Sequence, residues 1–424
     1  MNFRTDADFA AELDRADPLA GFREHFHIPP HGDGAEIYFC GNSLGLQPRT
    51  AERYIREELE DWQRLAVKAH FDGRRPWMPY HELFAESTAR LVGAKPLEVV
   101  NMNSLTVNLH LMMASFYRPT AARHRILMEK AAFPSDRYAV ATQIAFHGYN
   151  VDESLVELIP GPGQAVIDIE EIETLLAAEG ERIALVFLPG VQYYSGQAFD
   201  MARITRAAQR MGCVVGFDLA HATGNLPLQL HDAGMDFAVW CNYKYMNAGP
   251  GAVAGCFVHE RHAHEVDLPR LGGWWGHDKQ SRFRMGPEFL PMAGAEGWQL
   301  SNPPILGLAP LLASLQIFDD AGMPALRAKS LQLTGYLEFL LRETLPEEVE
   351  ILTPADPSQR GCQLSLRLHA GRNRARQIFE QLEARGVTGD WREPDVVRVA
   401  PVPLYNRYVE VHAFVQILAD LVGT

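Results

Sequence analysis

Cysteine is scarce in this 424-residue chain: Cys40, Cys213, Cys241, Cys256 and Cys362 lie far apart and form no C-x-x-C pair. That spacing speaks against a disulfide framework and fits reduced thiols in a cytoplasmic protein. Cys213, Cys241 and Cys256 fall in apolar runs, where a thiol acts as a small hydrophobe. Long hydrophobic runs are missing too, since none approaches the roughly 18 residues of a membrane span. The N-terminus, MNFRTDADFAAELDRADPLA, is acidic and amphipathic, unlike a secretory signal. Basic charge is in deficit. A net charge of −14 argues against nucleic-acid and anionic-membrane partners, both of which need clustered basic surface. Neither G-x-x-x-x-G-K-[ST] nor a strand-linked G-x-G-x-x-G occurs, which removes the common nucleotide and dinucleotide phosphate loops. No internal repeat or low-complexity tract is present.

What is there is a chain 47% hydrophobic, ample for a buried core and long for a single domain. Residues 1–70 read as polar helices interrupted by one short strand, 37–40, followed by the loop Gly41-Asn42-Ser43-Leu44-Gly45. From about Leu97, short apolar runs (99–100, 125–128, 155–159, 183–188, 213–217, 237–240 and 252–258) alternate with amphipathic segments such as 104–117, 168–178 and 201–211. Strand, helix, strand at this spacing predicts an α/β fold, a mostly parallel sheet with helices on both faces. After Pro303-Pro304 comes a helical stretch, 305–341, broken near Gly322-Met323-Pro324. The tail alternates strand and helix again at 362–368, 374–385, 396–400 and 409–421. Two domains are expected: a large α/β domain over 71–304, and a smaller α+β domain built from 1–70 together with 305–424.

In open parallel sheets, ligands collect beyond the carboxyl ends of the strands, so the residues that follow each apolar run carry the chemistry. Two runs end in a matched pair. The run 213–217 ends in Asp218, then Leu219-Ala220-His221; the run 237–241 ends in Asn242-Tyr243-Lys244-Tyr245, then Asn247-Ala248-Gly249-Pro250-Gly251. A carboxylate and an amine on one sheet edge are what a pyridine cofactor needs, the acid keeping the ring nitrogen protonated and the lysine forming the imine. The glycines after Lys244 are expected to let backbone approach the cofactor. Taken alone, Lys244 reads more simply as a solvated loop residue, and Asp218 could be a helix N-cap; their joint placement favours the cofactor reading. The segment Asn103-Ser104-Leu105-Thr106 opens an apolar helix and offers free N–H groups and a hydroxyl to a phosphate, with ordinary capping by Asn103 or Ser104 as the simpler role. Phe133-Pro134-Ser135-Asp136 adds an aromatic that could stack on a planar ring or serve as a hydrophobic staple. Arg398 is the one charge in an apolar run, either a bidentate carboxylate ligand or a solvated residue on an outer strand face.

Asp218-Leu219-Ala220-His221, Asn242-Tyr243-Lys244-Tyr245, Gly273-Trp274-Trp275-Gly276-His277, Ser301-Asn302-Pro303-Pro304 and the block Arg398 to Asn406 together resemble the kynureninase family, fold type I (aspartate-aminotransferase-like) pyridoxal 5'-phosphate enzymes. The likeness runs from Tyr38 to the Arg398 strand. It implies hydrolysis of L-kynurenine to anthranilate and L-alanine in tryptophan catabolism, with 3-hydroxykynurenine as a second candidate substrate. It further implies Lys244 as the Schiff-base lysine, Asp218 as partner of the pyridinium and His221 close to both. Leu105, Thr106 and Tyr243 would hold the phosphate, Phe133, Pro134, Ser135 and Asp136 would line the ring, and Tyr243 would donate or relay a proton. Trp274 and Asn302 would reach the site from the second subunit of a homodimer. Arg398 would bind the substrate α-carboxylate, and His70, Ser301 and Asn302 would line the aryl-ketone pocket.

His259, His262 and His264, with Glu260 and Glu265, lack the H-E-x-x-H spacing and read as a solvated turn, as do His25, His27 and His31; no metal is expected. Other fold type I activities compete, an aminotransferase or a cysteine desulfurase, although none of the five cysteines sits on a recognisable mobile loop. A binding scaffold without turnover is disfavoured by the intact Lys244, Asp218 and Arg398.

Overall fold

The computed structural model describes residues 2–423. Its elements are, in chain order, α1 (Ala7–Ala16), β1 (Ile37–Tyr38), α2 (Ala51–Leu65), β2 (Val99–Asn101), α3 (Leu105–Phe116), β3 (Arg125–Glu129), α4 (Pro134–Phe146), β4 (Leu155–Leu158), α5 (Ile169–Glu179), β5 (Ile183–Pro189), α6 (Met201–Arg210), β6 (Val214–Asp218), β7 (Phe237–Trp240) and β8 (Gly255–Val258). Then follow α7 (Ile305–Ala321), α8 (Met323–Thr344), β9 (Val349–Ile351), β10 (Leu364–Leu368), α9 (Arg372–Ala384), β11 (Val387–Thr388), β12 (Asp390–Arg392), β13 (Val396–Val399) and α10 (Tyr408–Val422).

Seven strands form one sheet in the order β2-β8-β7-β6-β5-β3-β4. Only β8 runs against the rest, pairing antiparallel with both β7 and β2. Strands β5, β6 and β7 are buried at nearly every position, which is why they read as continuous apolar runs: a parallel strand covered on both faces has no polar side. Close packing shows at Gly216, where an added Cβ would lie 2.2 Å from the Phe237 ring, and at Gly255, where it would lie 2.0 Å from the Trp240 indole.

A second sheet, β9-β10-β13-β12, is antiparallel throughout, and α8, α9, α10 and α1 contribute to its core, with Leu337, Phe379, Phe414 and Leu13 among the buried residues. Strand β1 pairs with β11, tying the N-terminal arm to this unit. The short pieces β9, β11 and β12, and a small hairpin pairing Pro30–His31 with Gly34–Ala35, are additions to the expected strands. Helix α7 instead buries Leu308, Leu311 and Leu315 in the core of the large sheet, and α2 packs against it. The axis bends by 81° between α7 and α8. By core membership we propose that the large unit extends to the Gly322 break, beyond residue 304. No single helix among the described residues is long and apolar enough to cross a membrane.

Candidate active site

The chain passes outward from β3 to β4, then crosses back to β5 and proceeds through β6 and β7 in the other direction, so neighbouring connections diverge between β3 and β5. A cleft forms where such connections part. Its walls are Met128 and Glu129 at the end of β3, Pro189 at the end of β5, Asp218 at the end of β6, and Tyr243 and Lys244 just beyond β7. Leu105 and Thr106 from the start of α3, and Phe133, Ser135 and Asp136 from the start of α4, close it. About 660 Å³ within it is free of protein atoms, part of that open to solvent.

Asp218 lies opposite Val239 in the β6–β7 register, which brings the end of β6 beside the loop carrying Lys244. That loop is anchored at Asn242, whose side-chain amide donates to Asn101 at 2.9 Å and to the Val253 carbonyl at 2.7 Å. From the other side, the Gly45 N–H donates to the Tyr243 carbonyl at 2.8 Å. The Lys244 ammonium donates to His221 Nε2 at 2.9 Å and stands 5.8 Å above the Phe133 ring. Burial and the adjacent Lys244 charge hold the His221 imidazole well below its ordinary pKa, so it stays neutral. Its Nδ1 is buried without a partner.

Asp218 is buried, and its Oδ1 accepts the Ala220 N–H at 2.7 Å; the local turn and the cleft therefore share one carboxylate. Asp136 is buried too, with Oδ1 unpartnered, and burial together with the neighbouring Asp218 pushes its pKa well up. Glu129, 2% exposed, is a third acid in the same wall. Burial, reinforced by Asp218, raises it to about 8. Three neighbouring acids beside Lys244 suit a ring whose nitrogen carries a proton.

At the opposite end, Ser104 precedes α3 without a side-chain cap bond, and Asn103 turns with φ of 50° and bonds to Asn108 instead. The capping role is thus not taken, and the first N–H groups of α3 face outward beside the Thr106 hydroxyl, itself 2.9 Å from Ser135 Oγ. An uncapped helix start with two hydroxyls suits a phosphate. Phe133, 42% exposed, offers its face to the cleft, while Pro134 opens α4 and does not reach the wall. Amine, acids, aromatic face and anion cradle together fit a phosphorylated pyridine aldehyde. Burial holds the Tyr243 phenol well above its ordinary pKa.

Arg398 is 1% exposed, not solvated. It donates to the Tyr193 carbonyl at 2.5 Å and to Asp390, and Tyr193 lines the cleft. Arg398 itself, like His70, Trp274, Ser301 and Asn302, is not among the residues that form the cleft walls of this chain. His70 bonds to the Val67 carbonyl at 3.0 Å and packs edge-on to Trp77. Trp274 is 40% exposed on an arm, and Ser301 and Asn302 are exposed.

Gly249 and Gly251 also lie outside it. Their φ values of 92° and 70° serve the tight turn into β8, so they do not admit backbone to a ligand as expected. The polar run after β8 is less open than a solvated turn: His262 bonds to Asp236 at 2.9 Å and to Glu265 at 2.8 Å. His259 stacks on His231 at 5.1 Å. Glu129, Tyr193, Asp390 and Arg392 escaped the sequence reading. Glu129 had a usable signal, an acid directly ending an apolar strand.

The described residues superpose on solved structures across most of their length. The cysteine desulfurase CsdA from Escherichia coli aligns with a TM-score of 0.77 and 16% identity, covering 96% of this chain and 98% of that one. A C-DES variant with glycine covalently linked to its PLP cofactor aligns at 0.75 and 19%, covering 91% and 96%. The fold is that of fold type I pyridoxal-phosphate enzymes, and a lysine and an acid stand at the carboxyl edge of its sheet. Residues 326–418 match the family model described as Kynureninase C-terminal domain. A curated kynureninase from Myxococcus xanthus (strain DK1622) is 60% identical over 418 residues, 98% of this chain and 97% of the relative. Another, from Koribacter versatilis (strain Ellin345), is 58% identical over 415 residues, again 98% and 97%. This chain belongs to the kynureninase family. Its likeness to desulfurases is one of fold, and burial raises Cys40 and Cys362 to about 12 and pushes Cys213, Cys241 and Cys256 up as well, the opposite of the shift that activates a thiol.

Proposed function

We propose that the protein hydrolyses L-kynurenine to anthranilate and L-alanine with pyridoxal 5'-phosphate, and 3-hydroxykynurenine to 3-hydroxyanthranilate, as a step of tryptophan catabolism. The observation that carries this is the pairing of Lys244 and Asp218 in one cleft, with Arg398 bonded to the cleft residue Tyr193, in a chain about 60% identical to kynureninases. When bound, the cofactor's protonated ring withdraws electrons from the substrate α-carbon, which allows the bond between the β- and γ-carbons to break.

The chain's own residues do the rest. Lys244 holds the cofactor and moves the α-proton, with neutral His221 at 2.9 Å as the acceptor that orients its amine. Asp218 pairs with the ring nitrogen. Leu105, Thr106, Ser135 and Tyr243 take the phosphate end, and Phe133 and Asp136 line the ring. Arg398 fixes the α-carboxylate and so aims the aryl ketone. The Tyr243 phenol, kept protonated by burial, supplies a proton as the β-carbon becomes the methyl group of alanine. Water gives its hydroxyl to the γ-carbon, which leaves as the carboxyl of anthranilate.

The working unit we infer is a cytoplasmic homodimer with shared sites. Leu271, Trp274, Phe283, Met285 and Leu290 are exposed together on one arm, an apolar patch of the kind that marks a protein interface. Trp274, Ser301 and Asn302, idle in their own chain, would complete the partner's aryl-ketone pocket, with His70 beside them. The test is anthranilate fluorescence from L-kynurenine with no keto acid added. Absence of that signal, combined with turnover driven by a keto acid, would assign the protein to transamination instead.

A further inference from the structure

In the small sheet, Asp390 of β12 stands opposite Arg398 of β13. Its carboxylate accepts from the Arg398 guanidinium and, at 3.1 Å, from that of Arg392. Two guanidinium groups thus share one carboxylate, which leaves one positive charge uncompensated in this cluster. Each arginine also keeps a buried Nε without a partner. Both guanidinium groups lie over the same ring, that of Tyr193, at 5.8 and 6.0 Å. That ring packs edge-on to Phe133 at 5.4 Å, and Phe133 lies under the Lys244 amine. Both arginine charges also depress the basicity of His221, which places their field at the reacting end of the cleft.

We propose that the substrate α-carboxylate is received by a pair of guanidinium groups, Arg398 and Arg392, and that Asp390 is the positioning residue that holds both. The proposal rests on Arg398 as the carboxylate ligand and adds two residues to it. Arg398 has five N–H donors; one contact each to Tyr193 and Asp390 leaves three, the unpartnered Nε–H among them, for a bidentate bond to an incoming carboxylate. Asp390 does not compete for that edge. It fixes the fork while offsetting one of two like charges, and the surplus charge matches a single carboxylate. Arg392, on the more exposed side, supplies the second donor and the Coulombic draw.

The test uses holoenzyme variants Asp390→Asn, Arg392→Gln and Arg392→Lys, with three readouts. KM for L-kynurenine should rise about tenfold or more in Arg392→Gln, the loss of a charge-assisted hydrogen bond to the substrate, and in Asp390→Asn, where the two guanidinium groups are no longer held in place, with kcat within about threefold. Affinity for L-alanine, read by cofactor absorbance, should fall by the same factor, and Arg392→Lys should recover part of it. The inhibition constant of the decarboxylated amine of kynurenine should not move. Unchanged L-alanine affinity in both neutral variants overturns the proposal, as does an equal loss for the amine, because that reports a collapsed cleft. Because L-alanine lacks the aryl ketone, its titration reads carboxylate recognition even if the parent fails to release anthranilate. Should Asp390→Asn not fold, the half-exposed Arg392 still decides the matter.

Discussion

Glu129 should make the cofactor-free protein less stable as pH rises through neutrality. The side chain is 2% exposed, ends β3 inside the cleft wall, and receives one weak contact, from Gln192 Nε2 at 3.3 Å. Burial and the Asp218 charge raise it from the ordinary 4.5 to about 8. Between those values the unfolded chain has released a proton that the folded chain retains, so unfolding becomes easier as pH climbs. Below 4.5 both states are protonated and the effect is absent; above about 8 both are ionised and it is complete. At about 1.4 kcal/mol per pH unit, the full loss is of order 5 kcal/mol and most of it is in place by pH 7. Asp136, shifted in the same direction, adds to the slope.

Glu129→Gln keeps the shape and removes the ionisation. Denaturant melts of the cofactor-free parent and variant, at pH 5 and pH 8, isolate the effect. The variant should gain several kcal/mol on the parent between those two pH values, measured by the midpoint at constant m. A difference that is the same at both pH values would refute the reasoning, since a packing or hydrogen-bond effect has no such dependence.

Two further outcomes follow from the Lys244 loop. The purified protein should be yellow, and Lys244→Ala should lower anthranilate release by about 10³-fold or more, checked by absorbance and fluorescence on one sample. Gly45→Ala should loosen the same loop without touching the cleft, because the new Cβ would lie 2.3 Å from both the Lys244 carbonyl and Asn247 Oδ1. A displacement costing about 1–3 kcal/mol should appear as a lower Tm and weaker cofactor retention on dialysis.

The large sheet was legible because its buried strands are apolar without interruption, and Lys244 and Asp218 were legible because each is a charge placed where such a run stops. The same rule points to Glu129, but only if β3 is carried one residue past Met128. The small sheet was harder. Strand β9 is Val-Glu-Ile, too short for its alternation to mark it, and β12 reads Asp-Trp-Arg, half-buried at every position. The arm residues Trp274, Ser301 and Asn302 were named by family likeness alone, and a single chain does not bring them to the cleft.

These differences have one physical origin. The end that would bind the cofactor is assembled from strand termini and helix starts, and each of its parts carries a local signature: a charge after an apolar run, or an uncapped polar turn before a helix. The end that would bind the carboxylate depends on a register, Asp390 against Arg398 across β12 and β13, and on a contact from Arg398 to Tyr193, which is 205 residues away in the chain. Asp390 lies only eight residues before Arg398, but nothing local marks the two as facing each other across strands or brings Tyr193 to them, so the charge on Arg398 reads as a ligand or a surface residue until the register is known. Once Asp390 and Arg392 are placed beside it, the sum of charges in the cluster, not the arginine alone, sets what anion the cleft can accept.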